Sequence, residues 1–464
     1  MARKRRVLSV ASECAPLIKT GGLADVVGAL PAALAPHGWS SRVLLPGYPS
    51  VMARMPRSRR VWRTDDLFGG PAAVRDTTID GFDVMLLDAP HLFDRPGGPY
   101  ESFEDSHVRF AALSWVASRI AIEGLASGWR PDLVHAHDWQ AGLAPSYLKY
   151  AASEVPSVLT IHNIAFQGIF GADQLDRLKL PTWDFHPDAL EYYGNVSALK
   201  AGIVHATRVT TVSPTYAAEL TTPEFGFGLE GVVAMRAARG EMHGILNGID
   251  TSIWDPSRDP MTQPFDADAL AGKAAAREAL LEEFGLDEPA GPLAVVVTRL
   301  THQKGIDLLL EALPPFVDAG GAVAILGSGD HHYEQALLAL RSPRVGVRLG
   351  YDEPLSHRMY AGGDLVLVPS RFEPCGLTQM YGLRYGALPV VASTGGLRDT
   401  VDDGRTGFVF DDISSAGLSA VLARAAAAFG SAPEFARMRR EAMAEPVDWG
   451  TSAAEYAALF DSLL

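Results

Sequence analysis

Short runs rich in β-branched residues alternate with longer amphipathic stretches along this chain, and one cluster of prolines interrupts the alternation. Val7–Ser12, Arg42–Leu45, Phe82–Leu87, Leu133–His137, Val158–His162 and Val209–Ser213 are expected to be strands. Gly22–Ala35, Val108–Glu123 and Trp139–Tyr150 have helical spacing between them. Trp254–Phe265 then holds Pro256, Pro260 and Pro264 with Asp255 and Asp259, which is turn and linker chemistry. After a helix at Lys273–Phe284, a second series starts: Leu293–Thr298, Val323–Leu326, Val345–Arg348, Leu365–Val368, Pro389–Ala392 and Phe408–Phe410. Continuous apolar strands separated by helices call for parallel sheets covered on both faces. The expected fold is therefore α/β, with two halves joined near residue 250.

Composition narrows the function. The chain has 464 residues, and 40 Lys+Arg against 55 Asp+Glu give a formal charge of −15. An acidic surface repels phosphate backbones, so no nucleic-acid partner is expected. No run approaches the ~18 apolar residues of a membrane span. Arg3, Lys4, Arg5 and Arg6 start like a signal peptide, but the apolar run after them stops at Ser12-Glu13. The two cysteines, Cys14 and Cys375, fit a reducing compartment, and a cytoplasmic protein is expected.

Ligands of open parallel sheets bind at the carboxyl ends of the strands, so the segments that follow strands carry the chemistry. Lys19-Thr20-Gly21-Gly22 follows the first strand and opens a helix, a place for an anion. His135-Ala136-His137-Asp138-Trp139 and Thr160-Ile161-His162-Asn163 end two more strands. The histidines could hold zinc, but a third ligand is not evident; a structural or cleft-lining role fits better. Trp139 suits either a sugar ring or the core.

In the second half, Arg299 and Lys304 bracket a helix start, as a diphosphate requires. Glu373 lies in Pro369-Ser370-Arg371-Phe372-Glu373-Pro374-Cys375-Gly376-Leu377-Thr378-Gln379, again between strand and helix. A carboxylate there can bind sugar hydroxyls or stabilise positive charge at an anomeric carbon. Ser393-Thr394-Gly395-Gly396-Leu397 is a further strand-to-helix turn suited to phosphate. No G-x-G-x-x-G follows an expected strand (Gly226-Phe227-Gly228-Leu229-Glu230-Gly231 does not) and no P-loop occurs, which weighs against a nicotinamide oxidoreductase. Asp266-Ala267-Asp268 precedes a helix and suits capping, so no metal and no cofactor are expected.

These segments resemble bacterial glycogen synthases, which are close to plant starch synthases. The likeness is carried by KTGGLADVVGALP at 19–31, DRPGGPY at 94–100, HAHDWQAGLAP at 135–145, HNIAFQG at 162–168, TTPEFGFGLEG at 221–231, NGID at 247–250, RLTHQKG at 299–305, EPCGLTQMYGLRYG at 373–386 and STGGLRDTV at 393–401. His302 departs from the Ser or Trp expected in that loop.

The resemblance implies a glycosyltransferase B fold, two Rossmann-like domains facing a central cleft. An acceptor-side domain would span 1–246 and a donor-side domain 247–448, with a C-terminal helix at 449–464 crossing back to the first. It implies glucose transfer from ADP-glucose to the non-reducing 4-hydroxyl of glycogen or another α-1,4-glucan primer, with retention; a UDP-glucose preference is the nearest alternative. By residue it implies catalytic roles for Glu373, Arg299, Lys304 and His162. Donor contacts would come from Lys19, Gly21, Gly22, Asn247, Tyr351, Cys375, Gly376, Leu377 and Thr378. Tyr100, Asp138 and Asn163 would face the acceptor.

Overall fold

The strands form where apolar runs can be buried on both faces, and they fall into two units that are described separately. The structure is a computed structural model that describes residues 4–101 and 103–464; Arg3 lies outside them. One unit is Met1–Asn247 with Trp449–Leu464, and the other is Gly248–Asp448.

The first unit is built on a nine-stranded sheet. Its strands are β1 (Arg5–Val10), β2 (Trp39–Pro46), β3 (Arg59–Thr64), β4 (Ala72–Ile79), β5 (Phe82–Asp88), β6 (Leu133–His137), β7 (Ser157–Ile161), β11 (Arg208–Thr211) and β12 (Met242–Gly244), in the order β12-β11-β7-β6-β1-β2-β5-β4-β3. Pairings from β12 to β5 are parallel; β4 pairs antiparallel with β5 and β3. All residues of β6 and β7 are buried, as strands sandwiched between helices must be. A small antiparallel sheet, β8 (Ile169–Gly171), β10 (Asn195–Ser197) and β9 (Glu191–Tyr192), lies beside it in chain order.

The expected strands exist, but Val158–His162 and Val209–Ser213 end earlier than anticipated, leaving His162 and Ser213 in the connecting loops. The expected helix Trp139–Tyr150 is two helices, Asp138–Ala141 and Ala144–Tyr150. The break is at Gly142, where a side chain would collide with the Ala198 carbonyl at 2.5 Å. The β3–β4 edge was not anticipated. Arginines interleave its apolar residues, which suits a solvated edge.

The helix Trp449–Asp461 completes the core of this unit. Trp449, Tyr456, Leu459 and Phe460 pack with Val7, Leu34, Trp39, Leu133 and Ile245. Trp39 meets Phe460 edge-on at 5.2 Å, and its indole N–H donates to Asp461 at 2.9 Å.

The second unit is a six-stranded, wholly parallel sheet: β13 (Leu293–Val297), β14 (Ala322–Gly327), β15 (Val345–Leu349), β16 (Leu365–Val368), β17 (Leu388–Ala392) and β18 (Phe408–Phe410), in the order β15-β14-β13-β16-β17-β18. The proline-rich stretch expected as a linker is packed into this unit. Trp254 stacks on His357 at 3.7 Å and on Tyr381 at 3.9 Å. Buried Asp259 accepts from His357 Nδ1 at 2.7 Å and from the Tyr385 hydroxyl at 2.6 Å. Asp266 turns back on the amides of Asp268 and Ala269, closing a turn before the helix Ala271–Phe284; it does not cap that helix, contrary to expectation, because the N-cap position is Leu270.

Because Phe460 is fully buried, Phe460→Ala is expected to cost about 3–5 kcal/mol. Urea unfolding checks this; a midpoint unchanged from the parent would show that the helix does not support the core.

Candidate functional site at the strand ends

In the first unit, polar side chains at the carboxyl ends of β1, β6 and β7 form linked hydrogen bonds. Ser9 Oγ lies 3.1 Å from His137 Nε2, and His137 Nδ1 lies 3.0 Å from His162 Nε2. His135 Nε2 meets Thr160 Oγ1 at 2.6 Å, and Thr160 meets Thr210 at 2.6 Å. Burial disfavours the charged imidazolium and lowers His135 and His162 to about 3; His137 is also pushed well below its ordinary value. The three rings are thus neutral near pH 7. One proton is shared in the His137–His162 bond, and the outer nitrogen of His162 remains for another partner. His135 bonds within the sheet, the structural role expected of one histidine, while His137 links Ser9 of β1 to His162 in the loop after β7.

Asp138 has φ 53°, an uncommon backbone for a residue with a Cβ. Its Oδ1 accepts the backbone N–H of His162 at 2.7 Å and of Asn163 at 3.3 Å. The carboxylate therefore fastens the His162 loop across two strand ends, a positioning task more than an open sugar contact. Burial raises its pKa to about 7 against the lowering effect of these amides. Asn163 closes its own turn onto the Ala165 N–H at 3.1 Å. Trp139 packs edge-on against Phe110 at 5.0 Å and also lines a pocket of about 260 Å³ with Phe103, His107 and Ile169.

Glu13 was not singled out from the sequence. It is buried beyond the end of β1; one carboxylate oxygen accepts the N–H groups of Thr20 and Gly21, and the other accepts the Tyr100 hydroxyl. Tyr100 also meets Ser12 Oγ at 2.7 Å. One carboxylate thus sets both the Lys19 loop and Tyr100. Withdrawal from water, then the Glu13 charge, push the phenol well above its usual range. Lys19 is paired with Asp25 at 2.8 Å. Gly21 has nothing within 4 Å of where a Cβ would stand, so the space over this helix start is open. Gly22 is the first residue of the helix Gly22–Leu34. Asn247, after β12, is buried with Oδ1 lacking a partner among the described residues.

In the second unit the site is assembled from adjacent strands β13 and β16. The chain leaves β13 through Arg299 and reaches Lys304, whose ammonium is ion-paired with Glu373. The Ser370 hydroxyl donates to the same Glu373 oxygen at 2.8 Å. Lys304 can reach Glu373 because Gly305 has φ 68° and its Cα side faces the Pro369 carbonyl, which a Cβ would meet at 2.1 Å. Arg299 is exposed and makes no ion pair among the described residues.

Gln379, another residue not singled out, braces the loop by donating to the carbonyls of Cys375 at 3.0 Å and Gly376 at 2.8 Å. The Gly395-Gly396 turn, expected to suit phosphate, is packed against this loop. A Cβ at Gly395 would lie 2.0 Å from the Glu373 carbonyl, and one at Gly396 2.4 Å from that of Cys375. Cys375 is buried and in no disulfide; Gly376 and Leu377 are half-buried before the helix Thr378–Tyr385. The Thr378 hydroxyl hydrogen-bonds buried Tyr360, so it serves helix packing. Tyr351 is 76% exposed beyond β15, its hydroxyl on Glu353.

Residues 6–235 match a family model described as the starch synthase catalytic domain, and residues 291–427 match one described as glycosyl transferases group 1. A glycogen synthase from Cereibacter sphaeroides is 56% identical over 99% of this chain and 98% of its own length. The chain belongs to the glycogen synthase family. A glycogen synthase from Paracoccus denitrificans is 54% identical over 99% of both chains. The catalytic domain of starch synthase IV from Arabidopsis thaliana, solved bound to ADP and acarbose, superposes with a TM-score of 0.88 at 33% identity, covering 99% of each chain. Sucrose-phosphate synthase from Thermosynechococcus elongatus shares the fold at a TM-score of 0.64 and 17% identity. Family membership makes the protein a hexosyltransferase of glycogen synthesis with the glycosyltransferase B type of fold, built on two Rossmann-like sheets.

The shifted groups predict how stability follows pH. His135 and His162 refuse protons that the unfolded chain accepts, so their contribution is lost as pH falls from about 6.5 towards about 3. Asp138 acts oppositely: the folded state holds its proton up to about 7, so its contribution falls as pH rises from about 4 to 7. Asn keeps an acceptor oxygen and tolerates positive φ, so Asp138→Asn is expected to make stability rise more steeply between pH 4 and 7. Urea midpoints across that range check it; an unchanged slope contradicts the assignment.

Proposed function

We propose that the protein transfers glucose from ADP-glucose to the 4-hydroxyl at the non-reducing end of an α-1,4-glucan, with retention and without a metal ion. The observation that carries this reading is the Lys304–Glu373 pair at the carboxyl ends of adjacent strands, with Arg299 in the same loop as Lys304. A departing nucleoside diphosphate builds negative charge, which Arg299 and Lys304 are suited to stabilise; Lys19, at a helix start of its own, is read as a donor contact too. Glu373 would steady the positive charge that develops at the anomeric carbon. His162, neutral and fixed through Asp138, would offer its outer nitrogen to a hydroxyl of the transferred glucose.

The bond from the anomeric carbon to the phosphate oxygen breaks, and the acceptor O4 bonds to the same face of that carbon. The acceptor proton passes to the departing phosphate oxygen. A double displacement would need a second carboxylate about 5 Å from the first, and Glu373 is a single candidate here. In this reading Gly21, Gly22, Asn247, Tyr351, Cys375, Gly376, Leu377 and Thr378 bound the donor. Tyr100 and Asn163 lie on the acceptor side, with Asp138 acting through the His162 loop. In this reading the acceptor-side residues come from the first unit, and most of the donor contacts from the second. No helix among the described residues is long and apolar enough to cross a membrane, in keeping with work in the cytoplasm on a polymer.

Glu373→Gln, which keeps the shape, is expected to lower kcat on the order of 10²–10³-fold while the KM for donor moves only a few-fold. A raised KM at unchanged kcat would mean that Glu373 only binds, and a covalent glucosyl-enzyme would overturn the single-face route. Glucose incorporation into glycogen should be faster from ADP-glucose than from UDP-glucose and undiminished in excess chelator. Loss of activity in chelator with rescue by Mg²⁺ would refute the metal-free proposal.

A further inference from the structure

The second unit holds a pocket away from its strand-end site. A cavity of about 360 Å³ is lined by residues of the helices Ala271–Phe284 and Ala432–Ala444 and by the last residue of the helix Ser415–Phe429. It lies at the other end of the sheet. Asp364, in its wall, immediately precedes β16 and accepts the Leu293 N–H at the start of β13 at 3.0 Å. The Lys304–Glu373 pair follows the carboxyl ends of these same two strands.

The charges in this wall do not balance. Its charged lining, among the described residues, is Lys273, Arg277 and Arg439 against Asp364. Arg277 Nε and Arg439 Nη2 each donate to an oxygen of Asp364 at 3.1 Å, so two guanidiniums share one buried carboxylate. Arg277 also pairs with Glu288, which is exposed to solvent. Buried Lys273 donates to the carbonyls of Ala361, Gly363 and Tyr385 at 3.0, 2.9 and 2.9 Å, and it makes no ion pair among the described residues. Burial holds Lys273 well below its ordinary range, and the nearby Arg439 charge lowers it further. Arg439 is lowered in the same way, by burial and by Arg277. Each guanidinium keeps one nitrogen, Arg277 Nη2 and Arg439 Nη1, that makes no hydrogen bond among the described residues.

The rest of the wall is apolar. Phe429 meets Phe435 edge-on at 5.2 Å, and Leu270, Ala432 and Ala436 stand beside them. A volume of this size suits a small molecule. A bare inorganic ion would leave the rings uncovered, and a neutral molecule would leave the excess charge unmet. We propose that this pocket binds a small organic anion, with its carboxylate or phosphate group on the open edges of Arg277 and Arg439 and its apolar body against Phe429 and Phe435. The proposal is independent of the glucose transfer, and its ligand is not a substrate of that reaction.

Thermal unfolding of the full chain at fixed ionic strength tests it, with benzoate, phenyl phosphate, benzyl alcohol and inorganic phosphate as probes. Benzoate or phenyl phosphate should raise the melting temperature saturably, by about 3 °C at ten times the half-saturating concentration. The larger response of the two identifies the head group. Benzyl alcohol, which lacks the charge, and inorganic phosphate, which lacks the apolar body, should give no such rise. Ala436→Trp, at an exposed helix position on the pocket wall, and Arg277→Gln should each fold and lose the rise. Arg299→Gln, at the strand-end site, should keep it. The proposal is overturned if neither organic anion acts, if the alcohol or inorganic phosphate acts equally, or if the rise survives both pocket variants.

Discussion

The ion pair between Lys304 and Glu373 is the contact around which the strand-end loops of the second unit are built. Neither residue could be fixed alone: a buried carboxylate without a partner is strongly disfavoured, and so is a buried ammonium. Each makes the other's position possible, and the Ser370 hydroxyl completes the arrangement. The backbone is shaped around it. Gly305 admits the Pro369 carbonyl and Gly395 the Glu373 carbonyl, so both loops approach more closely than side chains would permit.

The first unit solves the same problem with different partners. Glu13 is satisfied by two loop amides and a phenol, and Asp138 by the amides of His162 and Asn163. In each case a strand-end carboxylate organises the next loop. The histidines between them stay neutral because the interior penalises their charge, which leaves a hydrogen-bonding layer able to orient hydroxyls without repelling or attracting ions.

Much of this was legible in the sequence, for identifiable reasons. Strands such as β6 and β16 are continuous apolar runs, and their ends carry the histidines or the Glu373 loop. The Arg299–Lys304 and Glu373 segments could be placed at strand ends because the alternation is regular. Glu13 was hidden because its partners are two backbone amides and the hydroxyl of Tyr100, far along the chain, which no local residue pattern marks. Gln379 was hidden because it donates to backbone carbonyls and to distant Thr400. The β3–β4 edge escaped because arginines mask its alternation, although Asp80-Gly81 before β5 is a hairpin signal. The prolines at 256–264 suggested a tether, but their effect is to fix a segment that Trp254 and Asp259 dock onto a packed surface.

The helix Trp449–Asp461 has a consequence for biosynthesis. The hydrophobic centre of the first unit lacks Tyr456 and Phe460 until the entire second unit has left the ribosome. The later-made unit has all its strands contiguous in the chain and can mature while the earlier one waits with Trp39 and Leu34 uncovered. Order of synthesis and order of completion are therefore reversed, and the waiting intermediate is the species that a chaperone would meet.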